Sequence, residues 1–445
     1  MPEQWLSQRE SPVCSNEDET VPGPEAVHRR VLFFFSLGFD VPSPSLHLME
    51  AMVEDSLRAG WEVHVLASHT AGIRPDIPEH LRTHPRLTWD IVRQPRVAKT
   101  AFARRYLSGI KYALDCLPRI MRLKRYDLTY VQSSPTALYN VLVAKACARG
   151  KPVIYSVQDV FPGSSIHSGV MTRPWMQRTF ALLQRIAYAT ADQITVISED
   201  MKRRVIDAGA AAEKIAVIAN WYDDGAVREV PWSENQFVKK YCLRRDTFYV
   251  QCAGTMGYVF DYSMVLRVAE ILRGYPDIEF QMVGDGSQRG VFEREARDRG
   301  LDTVRFYPFQ PQEFVGDVLS ASSVCLIPLK RGIIGNSVPS KVASIMASNR
   351  TVVYSVDEDS HYYHMFHDNR IGRSAPNTEP QAVADAVLEL YNDKGEREAL
   401  AENAVEFSKA HYSRSVNMEL LLALFADLSR PRMRRPTRAH MRGRV

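Results

Sequence analysis

The 445-residue chain has no stretch near the eighteen or more consecutive apolar residues that cross a bilayer as a helix. Its apolar blocks, such as Val31-Leu32-Phe33-Phe34-Phe35, have the length of a buried strand. Residues 1–29 are polar, acidic and proline-containing, with no apolar h-region, so they are expected to be a disordered tail and not a secretory signal. Six cysteines (Cys14, Cys116, Cys147, Cys242, Cys252, Cys325) stand singly, without a CxxC pair or a regular framework. That pattern excludes a disulfide scaffold and reads as reduced core thiols of a cytosolic protein. A net charge of +4 is too small to argue for a nucleic-acid partner. No short-period repeat is present, which excludes a solenoid.

What is present is enough apolar sequence for two cores. The length exceeds the size at which one hydrophobic core keeps growing. Strand-length apolar runs fit 31–36, 62–67, 87–91, 128–132, 153–156, 193–197 and 215–218, with helical patterns over 45–58, 135–148, 175–189 and 199–208. From about Asp246 the alternation restarts. Strands fit 248–252, 278–283, 304–306, 324–327 and 351–354, and helices fit 263–272, 289–299 and 312–320. Such alternation implies an α/β fold of two doubly wound, Rossmann-like parallel sheets in tandem, with ligands beyond the carboxyl ends of the strands and a cleft between the domains. The expected boundaries are 1–29 tail, 30–225 first domain, 226–412 second domain, a closing helix over 413–428 and a basic tail over 429–445. Arg430, Arg432, Arg434, Arg435, Arg438, Arg442 and Arg444 crowd that tail, which is expected to be disordered and drawn to anionic surfaces or simply solubilising.

One turn carries the chemistry. Val338-Pro339-Ser340-Lys341 runs into a helical stretch, 342–347, and then a strand. Ser340 can cap that helix, its first amides face outward, and Lys341 adds a point charge; together these suit a phosphate. A plain cap and a solvated lysine would give the same letters.

The order of elements around this turn resembles one superfamily. Residues 191–202, Ala-Asp-Gln-Ile-Thr-Val-Ile-Ser-Glu-Asp-Met-Lys, followed by Glu213-Lys214-Ile215 through Asp223, are similar to the late first-domain signature of retaining GT-B glycosyltransferases of the family-four type. Gly254-Thr255-Met256-Gly257, Val283-Gly284-Asp285-Gly286, Val304-Arg305-Phe306 and Ile327-Pro328-Leu329 fall in the order of that family's donor domain. The likeness spans roughly residues 31–427. Gln158-Asp159-Val160-Phe161-Pro162 and Pro339-Ser340-Lys341 resemble the branch that builds O-antigen, colanic-acid and capsule repeat units, including fucosaminyltransferase-like enzymes. The resemblance implies a GT-B fold, a UDP- or GDP-sugar donor, a polyprenyl-diphosphate-linked saccharide acceptor, no covalent nucleophile, no metal and no cofactor.

On that resemblance, Lys341, Ser340 and the amides near Ser337 neutralise the departing diphosphate, with Gly254 and Gly257 admitting backbone to the phosphates. Gly284, Asp285 and Gly286 bend around the nucleotide, whose base lies near 306–309, and Gly38 gives close approach in the first loop. The chain departs from the pattern in three places. Tyr258-Val259-Phe260-Asp261 stands where many relatives carry an Arg and a Lys. Ser344 stands where a glutamate usually holds the ribose, a loss of about 1.5–3 kcal/mol unless another group substitutes. Asp357 or Glu358, in Val356-Asp357-Glu358-Asp359-Ser360, is the expected substitute, an exposed acidic loop being the plain alternative. Gly163 replaces a glutamate on the acceptor side, where Gln158 would contact the transferred sugar and Asp159 would orient or deprotonate the acceptor oxygen. His47 and His167 are lesser candidates there.

Residues 99–125 interleave Lys99, Arg104, Arg105, Lys111, Arg119, Arg122, Lys124 and Arg125 with Phe102, Tyr106, Leu107, Ile110, Tyr112, Leu114, Leu117 and Ile120. A basic helix with an apolar face suits an anionic bilayer surface, and equally a solvated domain surface. The expectation is a cytoplasmic enzyme peripheral to the inner face of the cell membrane. Two other readings stand beside it: a nucleotide-sugar epimerase of the same fold, and a relic that binds a partner without chemistry.

Overall fold

The structure, a computed structural model, describes residues 29–39, 45–71, 78–95, 97, 102–123, 125–132, 137–167, 171–225 and 227–430. Cys14, Asp40 to Pro44, Lys99, Lys124, the side chains of Phe102, Arg105 and His167, and nearly all of both tails lie outside the described residues.

Two parallel sheets organise the chain. The first contains β1 (Arg30–Phe34), β2 (Glu62–Thr70), β3 (Leu87–Gln94), β4 (Leu128–Gln132), β5 (Val153–Val157), β6 (Gln193–Val196) and β7 (Ile215–Val217), in the order β3-β2-β1-β4-β5-β6-β7. The second contains β8 (Phe248–Ala253), β9 (Ile278–Val283), β10 (Val304–Tyr307), β11 (Val324–Pro328), β12 (Thr351–Val356) and β13 (Gly372–Pro376), in the order β10-β9-β8-β11-β12-β13. Every pairing is parallel, so both faces of each sheet are covered by helices and the strands are near-continuous apolar runs.

In β1 the side-chain period of two divides the core. Leu32 and Phe34 face one buried cluster with Tyr112 and Val141, whereas Val31 and Phe33 face another with Leu48, Met52 and Phe425. The second cluster is closed by the last helix, Arg414–Leu428, which returns from the second domain onto the first. Phe425 lies 6.1 Å from Phe33 and 5.8 Å from Trp61, ring centre to ring centre. Arg414 reaches Glu54 at 2.6 Å and Asp55 at 2.8 Å on the first helix. Order reverses between β1 and β4 in one sheet and between β8 and β11 in the other, the switch points where such sheets open a crevice. Among the described residues no helix is long and apolar enough to cross a membrane.

Candidate active site

The loops at the carboxyl ends of β5, β8, β9, β11 and β12 carry most of the residues singled out from the sequence. On the second-domain side, β8 ends at Ala253 and the chain turns at Gly254 with φ +114°. A Cβ at Gly284 would come within 2.0 Å of the Gly254 carbonyl oxygen, and one at Gly286 within 2.3 Å of the Met256 carbonyl oxygen. These two loops therefore pack backbone on backbone, joined by Met256 N–H donating to the Asp285 carbonyl at 2.9 Å. Gly257 is different. A Cβ there meets Thr255 at an ordinary 3.6 Å, so nothing in the fold demands glycine at that position. Asp285 is exposed and its carboxylate accepts the Gly286 amide at 2.7 Å.

Lys341 opens the helix Lys341–Ala347 and lies against this paired loop. Its amine donates to the Ala253 carbonyl at 3.1 Å and sits 5.9 Å from the centre of the Phe260 ring. Among the described residues no carboxylate pairs with it. Crowding lowers its pKa from 10.5 by desolvation, with the nearby thiols of Cys252 and Cys325 opposing the shift. Those thiols are themselves pushed up by burial, to about 12 for Cys252 and about 11 for Cys325, so they supply no counter-charge at neutral pH. Water still reaches part of the lysine side chain. A cation held in this way is short of an anion.

Ser340 does not do what its position suggests. It occupies the cap position with φ −58° and ψ −24°, already helical, and its hydroxyl caps nothing. A capping side chain needs an extended backbone to swing its oxygen over the next turn, and the preceding Pro339 directs the chain straight into the helix instead. The exposed hydroxyl and the first turn are left for another partner. At seven residues this helix has little macrodipole, so its local amides and Lys341 matter more than its length. Ser344, one turn on, is half-buried, and among the described residues its hydroxyl has no bond.

Asp357 is committed elsewhere. Both its carboxylate oxygens accept the Gly332 amide, at 2.9 and 3.0 Å, which pins the loop after β11. Of the two expected substitutes for the ribose-binding glutamate, Glu358 is the exposed one. Phe306 packs edge-on against Phe292 at 4.9 Å as part of the core, whereas Phe309 is 66% exposed. No group of three or more His, Cys, Asp or Glu side chains among the described residues is arranged to hold a metal ion.

On the first-domain side, Gln158 accepts a bond from Asn220 at 2.8 Å and lies 3.3 Å from the Ser156 hydroxyl. Asp159 pairs through its backbone with Ser337 of the other domain, antiparallel. Crowding by both domains raises its carboxyl above the usual range, opposed by a bond from the Ser337 hydroxyl; because the group stays open to water, that desolvation is partial. His47 is spent on the Trp221 carbonyl, 3.1 Å away, and Gly38 is buried in the loop after β1. A concavity of about 620 Å³ at the interdomain linker, lined by Arg228, Glu234 and Glu313 among others, shares no residue with this cleft.

Two residues that the motifs did not single out join the halves. Asp200, buried in the helix Glu199–Asp207, accepts the amides of His361 at 2.7 Å and Tyr362 at 3.2 Å, at the start of the second-domain helix His361–Asp368. Asn336 accepts the Val160 amide at 2.8 Å through its carbonyl. The Ser198-Glu199-Asp200 cap pattern marks a helix start but gives no hint that its aspartate serves a second helix 161 residues away.

Comparison with known proteins agrees with the architecture of two parallel-sheet α/β domains. The model of the Glycosyl transferase 4-like domain matches residues 45–221, and that of the Glycosyl transferases group 1 matches residues 234–407. A probable glycosyltransferase of Pseudomonas aeruginosa, WbjE, is 23% identical over 72% of this chain and 79% of its own length. WcaI of Escherichia coli, a putative colanic acid biosynthesis glycosyl transferase, is 26% identical over 39% of this chain and 43% of its own length. HepE of Anabaena, solved in complex with UDP and glucose, superposes with a TM-score of 0.67 at 14% identity, covering 90% of this chain and 100% of that one. At that identity the superposition establishes the shared architecture alone.

Proposed function

The chain belongs to the GT-B glycosyltransferases, and we propose that it is a retaining, metal-independent member that moves a sugar from a UDP- or GDP-sugar to a polyprenyl-diphosphate-linked saccharide during synthesis of a surface polysaccharide. The observation that carries this reading is Lys341: a desolvated cation that no carboxylate pairs with among the described residues, seated where two glycine loops meet at the carboxyl ends of β8 and β9. A leaving diphosphate gains negative charge as the glycosidic bond breaks, and a preorganised cation in a crowded cleft stabilises that charge without first reorganising.

In this reading residues 226–412 hold the donor and 30–225 the acceptor, with 413–428 tying them together. Lys341 and Ser340 take the diphosphate, the Ser337 amide expected there being spent on the Ile333 carbonyl at 3.1 Å, and Gly254, Gly257, Gly284, Asp285 and Gly286 form the floor beneath the nucleotide. Ser344 and Glu358 lie toward the ribose and sugar, with Asp357 holding the loop that faces them. Gln158 and Asp159 approach the transferred sugar and acceptor oxygen from across the cleft, and Gly38 adds close backbone approach. A lipid-linked acceptor is met at a bilayer. The helix Phe102–Arg122 exposes Leu107, Leu114 and Met121 in one stripe beside Arg104 and Lys111, supporting a peripheral seat on the inner face of the cell membrane.

Incubating the protein with a panel of UDP- and GDP-sugars and measuring release of free nucleotide tests the proposal. Slow hydrolysis of one donor, abolished in Lys341→Ala, is the expected result. Calorimetry showing that none of the nucleotides binds would point to the non-catalytic relic.

A further inference from the structure

A strap of the donor domain, residues 331–338, leaves the carboxyl end of β11, crosses the cleft and lies on the loop that follows β5. Its root is fixed by Asp357 on the Gly332 amide. At its far end Ser337 forms the antiparallel bridge with Asp159, and Val338 packs against core residues of both domains. Between these points sits Asn336, 3% exposed. Its side-chain amide donates to the Gly332 carbonyl at 2.9 Å, which stiffens the strap, and its backbone carbonyl accepts the Val160 amide at 2.8 Å.

The fit depends on Gly163. A Cβ at that position would lie 2.2 Å from the Asn336 side-chain oxygen and 3.1 Å from its Cγ. Asn336 is held by its bond to Gly332 and by burial, so it has no room to swing aside; a side chain at 163 would part the two domains there. The glycine that departs from the branch pattern thus makes room for a residue supplied by the other domain.

We propose that Asn336 is a positioning residue that transmits occupancy of the Ser337–Lys341 turn to Asp159 and the loop 158–167. The strap runs without interruption from Asn336 into Ser337, Ser340 and Lys341, so an anion that orders the turn also orders the strap. The strap in turn fixes the backbone of Asp159 and Val160. The inference rests on the reading of that turn as the diphosphate site.

Hydrogen–deuterium exchange of the full chain, with and without saturating UDP or GDP, reads the coupling directly, alongside calorimetry of the same nucleotide. In the unaltered protein the nucleotide slows exchange across 158–167 by at least about fivefold, although that segment belongs to the other domain. In Asn336→Ala and Gly163→Ala this ratio collapses toward one, while nucleotide affinity stays within about threefold. A residue that merely held the fold would raise exchange in both states and leave the ratio unchanged. If Gly163→Ala does not fold, Asn336→Ala alone decides, since it removes bulk and adds none. An unchanged ratio in Asn336→Ala, or no nucleotide-dependent protection in the unaltered protein, overturns the proposal. Loss of nucleotide binding in Asn336→Ala overturns it too, by making Asn336 a direct ligand contact. Failure of every nucleotide to bind the unaltered protein removes the diphosphate reading itself, and calorimetry distinguishes that result from the others.

Discussion

The two sides of the cleft are built on the same strand-loop-helix plan but treat their polar groups in opposite ways. On the first-domain side Gln158 and Asp159 are already engaged within the protein, Gln158 with Asn220 and Asp159 with Ser337. On the second-domain side the backbone at Gly284 and Gly286 leaves no room for a Cβ, yet among the described residues no acid answers Lys341 and Ser340 caps nothing. Satisfied groups position; an unsatisfied charge waits for a ligand. On the proposed reading, the contrast is between a donor half preorganised to receive an anion and an acceptor half that takes its shape from contacts with the donor half.

The largest effect expected from breaking that contrast is on turnover. Lys341→Ala should lower donor hydrolysis or transfer by about 10²–10³-fold, the usual consequence of removing one stabilising donor from a developing negative charge. Lys341→Met should do the same while leaving the unliganded protein at least as stable, because it deletes an uncompensated cation from a crowded site. A kinetic assay beside a thermal melt checks both. Loss of stability in Lys341→Met would show that the amine bond to Ala253 outweighs its desolvation.

Gly284→Ala comes next, and acts on folding. Its Cβ would meet the Gly254 carbonyl at 2.0 Å with φ at +142°, so the two loops must separate at a cost of about 1–3 kcal/mol, read from the denaturant midpoint. A smaller effect separates charge from packing through pH. The folded-state pKa of Lys341 is lowered below 10.5, so between that lowered value and 10.5 the unfolded chain holds the extra proton. Stability of the unaltered protein relative to Lys341→Met should therefore rise with pH across this window. Nucleotide affinity, which needs the charged amine, should fall by up to about tenfold per pH unit. Slopes of the same sign would refute the assignment.

How far this was readable from sequence follows from the range of each contact. The strands were legible because parallel pairing buries both faces, and runs such as Val153 to Val157 have no other use. β13 was not anticipated: Gly-Arg-Ser-Ala-Pro reads as a turn and works as a strand only at the edge of the sheet, beside β12. The glycine loops after β8 and β9 and the lysine beside them are legible as loops because glycines and a lysine next to strand ends are local signals. The first-domain side is harder. Gln158 finds Asn220 62 residues on, and Gly163 makes sense only beside Asn336, in an irregular strap whose own sequence announces nothing. Ser340 failed as a cap for the converse reason, since its letters fit but its backbone had already entered the helix.

Asp200 tests whether the domains are joined by design or by proximity. It caps a helix of the other domain with two bonds, one of them at 2.7 Å, while Ser360 already caps the same helix from within through Tyr363. Asp200→Ala should cost about 1 kcal/mol in thermal or chemical unfolding, within the range for loss of a cap. Asp200→Asn should recover part of that loss, because an amide oxygen still accepts from the same amides.

The smallest expected effect is the most discriminating between packing and ligand. Gly257→Ala meets only Thr255 at 3.6 Å, without a left-handed backbone, so stability should change by less than about 0.5 kcal/mol. If Gly257 also admits a phosphate, the new methyl will weaken nucleotide binding in calorimetry while the melt stays put. If it is a plain turn glycine, both will stay put, and the floor of the donor site then narrows to the pair formed by Gly254 and Gly284. Either result separates the two glycines of the Gly254-Thr255-Met256-Gly257 motif. Gly254 is held to its conformation by φ +114° and by the carbonyl that faces Gly284, whereas Gly257 is free to be judged by ligand alone.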